Sequence, residues 1–211
     1  MSIRVQGVVK RYRRGSETVT AVDGATFELA AGEMVALIGP SGSGKTTLLN
    51  LLATGDPPEE GTISGLPTRP DWTALATVPQ SLGLLDELTM AENVALPLRL
   101  GQSGRASTQT VAGLMGQLGL GDLLHQAPSA TSLGEQQRTA VARALIVGPA
   151  ILLADEPTSH QDEENVHLVG EAFAGCAADG SAVLVATHDT RVLSRCDRIL
   201  EMTDGVVSIR S

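Results

Sequence analysis

Two hydrophobic patterns share this chain. Continuous apolar runs that end in a small or acidic residue read as strands buried on both faces: "MVALIG" (Met34–Gly39), "AILLAD" (Ala150–Asp155) and "SAVLVATHD" (Ser181–Asp189). Shorter extended segments fit Ile3–Lys10 and Ala25–Leu29, and "ALATVPQ" fits a strand ending at Gln80. "GDPPEEG" (Gly55–Gly61) is turn chemistry, and "RILEMTDGVVSIR" predicts a hairpin turning at Asp204-Gly205. The second pattern is helical. It predicts a helix over Lys45–Ala53, then Ala91–Leu100 (bent or ended near Pro97), Thr108–Leu118 and Gly134–Val147. A further helix of about 15 residues falls between the last two apolar runs. The expected organisation is a single α/β unit. Residues 1–80 and 148–211 form a βα core with a mostly parallel sheet and an antiparallel β part, and residues 81–147 are an inserted helical part.

The stretch "TSLGEQQRTAVARAL" (Thr131–Leu145) opens this last insertion helix with a capping box, Ser132 at the cap and Glu135 three residues on. Val141, Ala144 and Leu145 then follow at packed-face spacing. Leu133 puts a bulky side chain in the first turn, where an anion would need close backbone approach. The helix end therefore reads two ways, as a ligand site or as the plain start of a helix.

Composition narrows the picture. Of 211 residues, 42% are hydrophobic, yet the aromatics are only Tyr12, Phe27, Trp72 and Phe173, so the core is aliphatic. A net charge of −9 repels phosphate backbones and argues against nucleic acid as a partner. A single small phosphate ligand is still compatible, because backbone N–H groups can hold it. Cys176 and Cys196 have no metal-like spacing and read as small, buried or half-buried thiols. No secretory apolar core is present at the start, and no run approaches the ~18 residues of a membrane span. The expectation is a cytoplasmic protein with no direct membrane insertion.

Only two lysines occur, Lys10 and Lys45, and the second lies in "GPSGSGKTT" (Gly39–Thr47). This matches G-x-x-x-x-G-K-[ST] between a strand and a helix, the context the motif needs. Its glycines let successive N–H groups of Gly39, Pro40–Ser43 and Gly44 turn toward a β-phosphate, proline excepted. Lys45 reaches β/γ oxygens, Thr46 offers a hydroxyl to Mg²⁺, and Thr47 completes the turn at a favourable helix dipole. "ILLADEP" brings Asp155 and Glu156 to a strand tip, where open α/β sheets bind ligands. There Asp155 suits Mg²⁺ and Glu156 an attacking water. His188 and Gln80 end two other strands. The first suits a phosphate contact, the second Mg²⁺ or the water.

These pieces, in this order, resemble the ATP-binding cassette (ABC) ATPases, the nucleotide-binding subunits of ABC transporters. The likeness covers essentially the whole chain: Walker A "GPSGSGKTT", the Q-loop Gln80, the signature "TSLGEQQR", Walker B "ILLADE", the D-loop "SHQD" and the H-loop His188. The resemblance implies a P-loop NTPase (RecA-like) core and ATP with Mg²⁺ as ligands. It further implies Tyr12 on the adenine, and a head-to-tail homodimer or heterodimer in which Ser132, Gly134, Glu135 and Asp162 complete the partner's site. Within the family the chain looks most like cassettes that serve lipoprotein-release, macrolide-efflux and cell-division permeases. There Leu82–Leu98 would receive the permease and hold the subunit at the inner face of the membrane.

Two departures fall on the dimer side. The usual signature is L-S-G-G-[EQ]-Q, but Thr131 replaces its leucine and Leu133 its first glycine. The D-loop carries His160 and Gln161 where S-A-L-D is usual. Losing one charge-assisted hydrogen bond to the crowding at Leu133 would cost about 1.5–3 kcal/mol. Two roles stay open: a transport-coupled ATPase with a weakened composite site, or a hydrolysis-weak regulatory subunit of an asymmetric complex.

Overall fold

In the computed structural model, which describes residues 2–54, 56–67, 71–101, 110–159 and 161–210, two sheets share one aliphatic interior. The antiparallel sheet has the order β2-β1-β4, with β1 Ile3–Arg14, β2 Glu17–Leu29 and β4 Glu60–Ser64. The larger sheet has the order β5-β6-β7-β3-β8-β9. It comprises β3 Met34–Ile38, β5 Leu75–Val78, β6 Ile151–Asp155, β7 Ala182–Ala186, β8 Arg198–Thr203 and β9 Val206–Arg210. Its neighbours are parallel except for the final β8–β9 pair. Every residue of β3, β6 and β7 is buried, as continuous apolar runs require.

Each face of the larger sheet carries its own packing. On one side α1 (Lys45–Thr54) and the antiparallel sheet enclose Leu48, Leu51, Leu52, Phe27 and Leu200. On the other, α2 (Met90–Arg99), α3 (Val111–Gln117), α4 (Leu133–Leu145) and α5 (Glu163–Ala178) bury Met90, Met115, Val141 and Phe173. A short α6 (Thr190–Leu193) follows β7.

Several boundaries differ from the sequence-based expectation. Ile3–Lys10 and Ala25–Leu29 are parts of one long hairpin, β1–β2, whose turn is Gly15-Ser16. Its outer half is exposed and charged, so it carries no alternating apolar signature. Glu60 and Gly61, read as turn, begin β4, which pairs with β1 through backbone bonds that composition does not reveal. β5 stops at Val78, two residues before Gln80, because Pro79 brings no N–H to the ladder. α2 does not end at Pro97; the helix runs on to Arg99 without the N–H that this residue would have given to the Asn93 carbonyl. α6, a single turn capped by Asp189, is too short to carry a helical period in the sequence. Thr108, the expected start of the second insertion helix, lies outside the described residues. The described helix starts at Val111 with Thr110 as its cap.

Local chemistry sets a helix start and a chain reversal as the sequence implies. Ser132 and Glu135 form both bonds of the capping box of α4. Asp204 (φ 48°) and Gly205 (φ 85°) make the left-handed pair that a tight hairpin needs.

Cys176 and Cys196 are both half-buried and form no disulfide. Half-buried Cys196 donates to the Val192 carbonyl, and burial, with a smaller contribution from the Asp197 charge, pushes its pKa up to about 11. Alkylation is expected to be slow at Cys196 at pH 8 and to keep accelerating up to about pH 11, since only the thiolate reacts. Peptide-resolved labelling against pH checks this, and a rate that levels off near pH 9 contradicts it.

Candidate active site

The C-terminal tips of three adjacent strands, β3, β7 and β6, build one end of the molecule. Each delivers chemistry that the sequence places far apart: Gly39 after β3, Asp155 and Glu156 at β6, and His188 after β7. A cavity of about 830 Å³ opens there. Of the loop from Gly39 to Thr47, all but Ser43 line it, together with Gln80, Asp155, Glu156 and His188.

The loop's shape depends on its glycines. Gly39 (φ 152°) and Gly44 (φ 107°) take backbone conformations that favour glycine. A Cβ would lie 2.1 Å from the Met202 carbonyl oxygen at Gly39 and 2.0 Å from the Ala21 carbonyl oxygen at Gly44. Lys45 lies across the loop and donates from Nζ to the Gly39 carbonyl at 2.7 Å and the Pro40 carbonyl at 3.0 Å. Its ammonium therefore sits over the cradle. The hairpin turn of β8–β9 supports the same loop, with the Gly205 N–H donating to the Ser43 carbonyl. The Ser43 hydroxyl is buried and has no hydrogen-bond partner among the described residues.

Thr46 and Asp155, 109 residues apart, meet directly: the Thr46 hydroxyl donates to Asp155 Oδ2 at 2.6 Å. Glu156, one residue on, is held at φ 48°, a left-handed conformation that a side chain rarely adopts outside a functional or strained position. Bonds to its own backbone hold it there, among them one from the Ser159 N–H to its carbonyl. Its N–H donates to the Ala186 carbonyl of β7. Its carbonyl accepts from Gln137 Nε2 of α4 at 2.7 Å and from the Ser159 hydroxyl at 3.1 Å. The outcome is a carboxylate turned to His188, whose Nδ1 lies 3.0 Å from Glu156 Oε2. Asp189, next to that histidine, forks onto Arg191, whose guanidinium holds the Asp189 carboxyl below its ordinary range.

Other expected site residues lie elsewhere. Tyr12 is not part of the cavity lining; it is 47% exposed on β1, paired across the strands with Val19, which does line it. Ser132, Gly134 and Glu135 form the first turn of α4, away from the cavity, where Ser132 donates its N–H and hydroxyl to Glu135. Those bonds hold the Glu135 carboxyl below its ordinary pKa. Asp162 caps α5 by accepting from the Asn165 N–H. His160 lies outside the described residues. The sequence reading missed Gln137, which is 4% exposed, and the wall formed by Val19–Ala21 and the Asp204-Gly205 turn. A second glutamine at a helix start gives no sign of which way it faces, and the wall depends on sheet packing alone.

The comparisons agree with this geometry. The ABC transporter family's sequence model matches residues 22–159. The lipoprotein-releasing system ATP-binding protein LolD of Gluconobacter oxydans (strain 621H) is 42% identical over 217 residues, covering 97% of this chain and 94% of that protein. The macrolide export ATP-binding/permease protein MacB 1 of Aeromonas hydrophila subsp. hydrophila is 38% identical, covering 97% of this chain but 34% of its own length. The dimeric, post-hydrolysis structure of the ATP-binding cassette MJ0796 bound to ADP and Pi superposes with a TM-score of 0.88 at 31% identity, over 99% of this chain and 98% of that one. With the phosphate loop, the acidic strand tip and the histidine converging on one cavity, this chain belongs to the ABC transporter family as an ATP-binding cassette, a subunit that binds and hydrolyses ATP.

Proposed function

We propose that this cassette drives a membrane permease of the lipoprotein-release or macrolide-export type by closing and reopening a dimer around MgATP. The observation that carries the reading is the convergence, at one cavity, of a phosphate cradle, an oxygen pair fit for a cation and a carboxylate beside an imidazole. The cassette works as one unit, with residues 1–80 and 148–211 holding nucleotide and 81–147 transmitting movement.

The oxygen donors of Thr46 and Asp155 suit a hard divalent cation, and Gln80 lines the same cavity. Bound there, Mg²⁺ would neutralise charge on the β- and γ-phosphates. The loop N–H groups between Gly39 and Thr47, with Lys45, orient the phosphates. Tyr12, outside the lining but paired across the strands with the lining residue Val19, has an exposed ring to offer the adenine. Glu156 holds water in line with the γ-phosphorus and takes its proton as the new P–O bond forms and the bond to the β-phosphate oxygen breaks. His188 and Lys45 stabilise the charge that develops on the γ-phosphoryl oxygens.

Because Ser132, Gly134 and Glu135 lie outside their own chain's cavity, their role requires a second cassette, with Asp162 at the same interface. MJ0796 is dimeric in its solved structures, which supports this arrangement. Leu85 and Leu98 are 44% and 41% exposed within Leu82–Leu98, an apolar surface suited to a permease helix. Among the described residues no helix is long and apolar enough to cross a membrane. Attachment to the inner face of the membrane would then come through the permease.

Leu133, 51% exposed in the first turn of α4, is the observation that favours the second role, a regulatory subunit with weak turnover. The test is turnover per chain at rising protein concentration for wild type and Leu133→Gly. A composite site makes turnover per chain rise with concentration. Freeing the helix end raises the dimer-dependent rate about 10- to 150-fold. No gain in the variant removes the steric argument. Nucleotide binding without measurable turnover in the wild type assigns the regulatory role.

A further inference from the structure

Arg143 is a buried arginine without an acid. It lies in the last turn of α4 at 7% exposure, and among the described residues no carboxylate forms an ion pair with it. Its fork goes instead to main-chain oxygens. Nη1 donates to the Gly83 carbonyl at 2.6 Å and Nη2 to the Leu82 carbonyl at 2.5 Å. The guanidinium carbon stands 5.7 Å from the centroid of Trp72, the chain's one tryptophan. Burying a charge is unfavourable unless its donors are satisfied, so this arrangement has to be held by the two bonds and the aromatic face together.

The loop so gripped follows Gln80 directly. It has no ladder of its own between Val78 and Met90. Its far end is held in the same way by Asn93 of α2, which is wholly buried. The Asn93 amide accepts from the Leu85 N–H and donates toward the carbonyls of Leu85, Leu88 and Thr89. Both anchors come from helices, on the opposite side of the chain from the strand that delivers Gln80. The loop's position is therefore set by α4 and α2 as well as by the strand before it.

We infer that Arg143, backed by Trp72, is a positioning residue for ATP hydrolysis: it fixes the loop at Leu82-Gly83 to α4 and so sets where Gln80 stands in the cavity. This rests on the reading that Gln80 acts at the phosphate end of the site. Arg143 touches neither the phosphate loop nor Thr46, Asp155 or Glu156, so its loss should alter turnover and spare nucleotide affinity.

The experiment is a double-mutant cycle of Arg143→Met and Gln80→Ala in the full chain, with kcat and KM for MgATP measured separately and tryptophan emission recorded. Arg143→Met is expected to lower kcat about 10- to 100-fold, as a displaced positioning group does, with KM within about twofold. The double variant should be no slower than Gln80→Ala alone. Trp72 emission should differ between Arg143→Met and the wild type, because the cation over its ring is gone. Arg143→Lys keeps the charge but not the fork; it should recover part of kcat, and it takes methionine's place in the cycle if Arg143→Met fails to fold. The inference is overturned if the effects of Arg143 and Gln80 multiply in full, if KM rises as far as kcat falls, or if kcat stays within twofold of wild type. If Gln80→Ala alone leaves kcat unchanged, the reading of Gln80 falls, and the inference falls with it.

Discussion

Glu156→Gln is expected to lower ATP turnover by about 10²- to 10⁴-fold while nucleotide affinity stays within about twofold. The separation follows from geometry. In the proposed site the phosphates are held by the loop after β3 and by Lys45, whereas Glu156 reaches the cavity from β6. The amide keeps the shape and an oxygen within reach of His188 Nδ1, which stands 3.0 Å from the native carboxylate. It also leaves the backbone bonds to Ala186, Gln137 and Ser159 untouched, so the φ of 48° persists. What disappears is a group able to take a proton from water. Phosphate release in a single turnover, beside equilibrium binding of the same nucleotide, measures the two effects independently. Turnover within tenfold of wild type would show that the carboxylate takes no proton in the rate-limiting step.

Lys45→Ala acts on the other half of the site. Removing one charge-assisted contact to the β- and γ-phosphates costs about 1.5–3 kcal/mol, a loss of about 10- to 150-fold in ATP affinity. Turnover should fall further if, as proposed, the same ammonium also stabilises charge that builds on the γ-phosphoryl group. AMP is the internal control. It lacks the β- and γ-phosphates proposed for Lys45, so any binding it shows should be unchanged. The variant also removes the donor to the Gly39 and Pro40 carbonyls, and both carbonyls are then free to bind water. A thermal melt distinguishes this loosening from lost charge. Equal loss of ATP and AMP affinity would mean that the loop had collapsed and would refute the phosphate assignment.

The two variants bear on parts of the site that were unequally visible in the sequence. The cradle was legible because it is local: a buried strand, glycines at fixed offsets, one rare lysine and a helix start lie within fourteen residues, Met34 to Thr47. The capping box of α4 and the Asp204-Gly205 turn were legible for the same reason. The outer half of the β1–β2 hairpin was not. Pairs such as Arg13 with Thr18 and Arg11 with Thr20 are held by backbone bonds on an exposed sheet, and exposed strands carry no apolar alternation to read. Gln137 and Arg143 were hidden differently. Polar residues in a helix usually face water, and only the packing of α4 against the loops at 82–83 and 156–159 turns these two inward.

The order of residues by itself determined which groups this cassette could bring to a phosphate: the glycine loop, Lys45, Thr46, the acidic pair, His188. Each is specified within one strand and the turn after it, where neighbouring backbone geometry suffices. Tertiary structure alone decided that they share a site. β3 lies beside β7 and not beside β5, the next strand of the larger sheet in the chain. That order brings Thr46 within 2.6 Å of Asp155 and Glu156 within 3.0 Å of His188. Parallel strands pair only through crossovers, whose packing on the two faces of the sheet is a property of the whole interior. The same packing leaves Ser132 and Leu133 outside the cavity of their own chain.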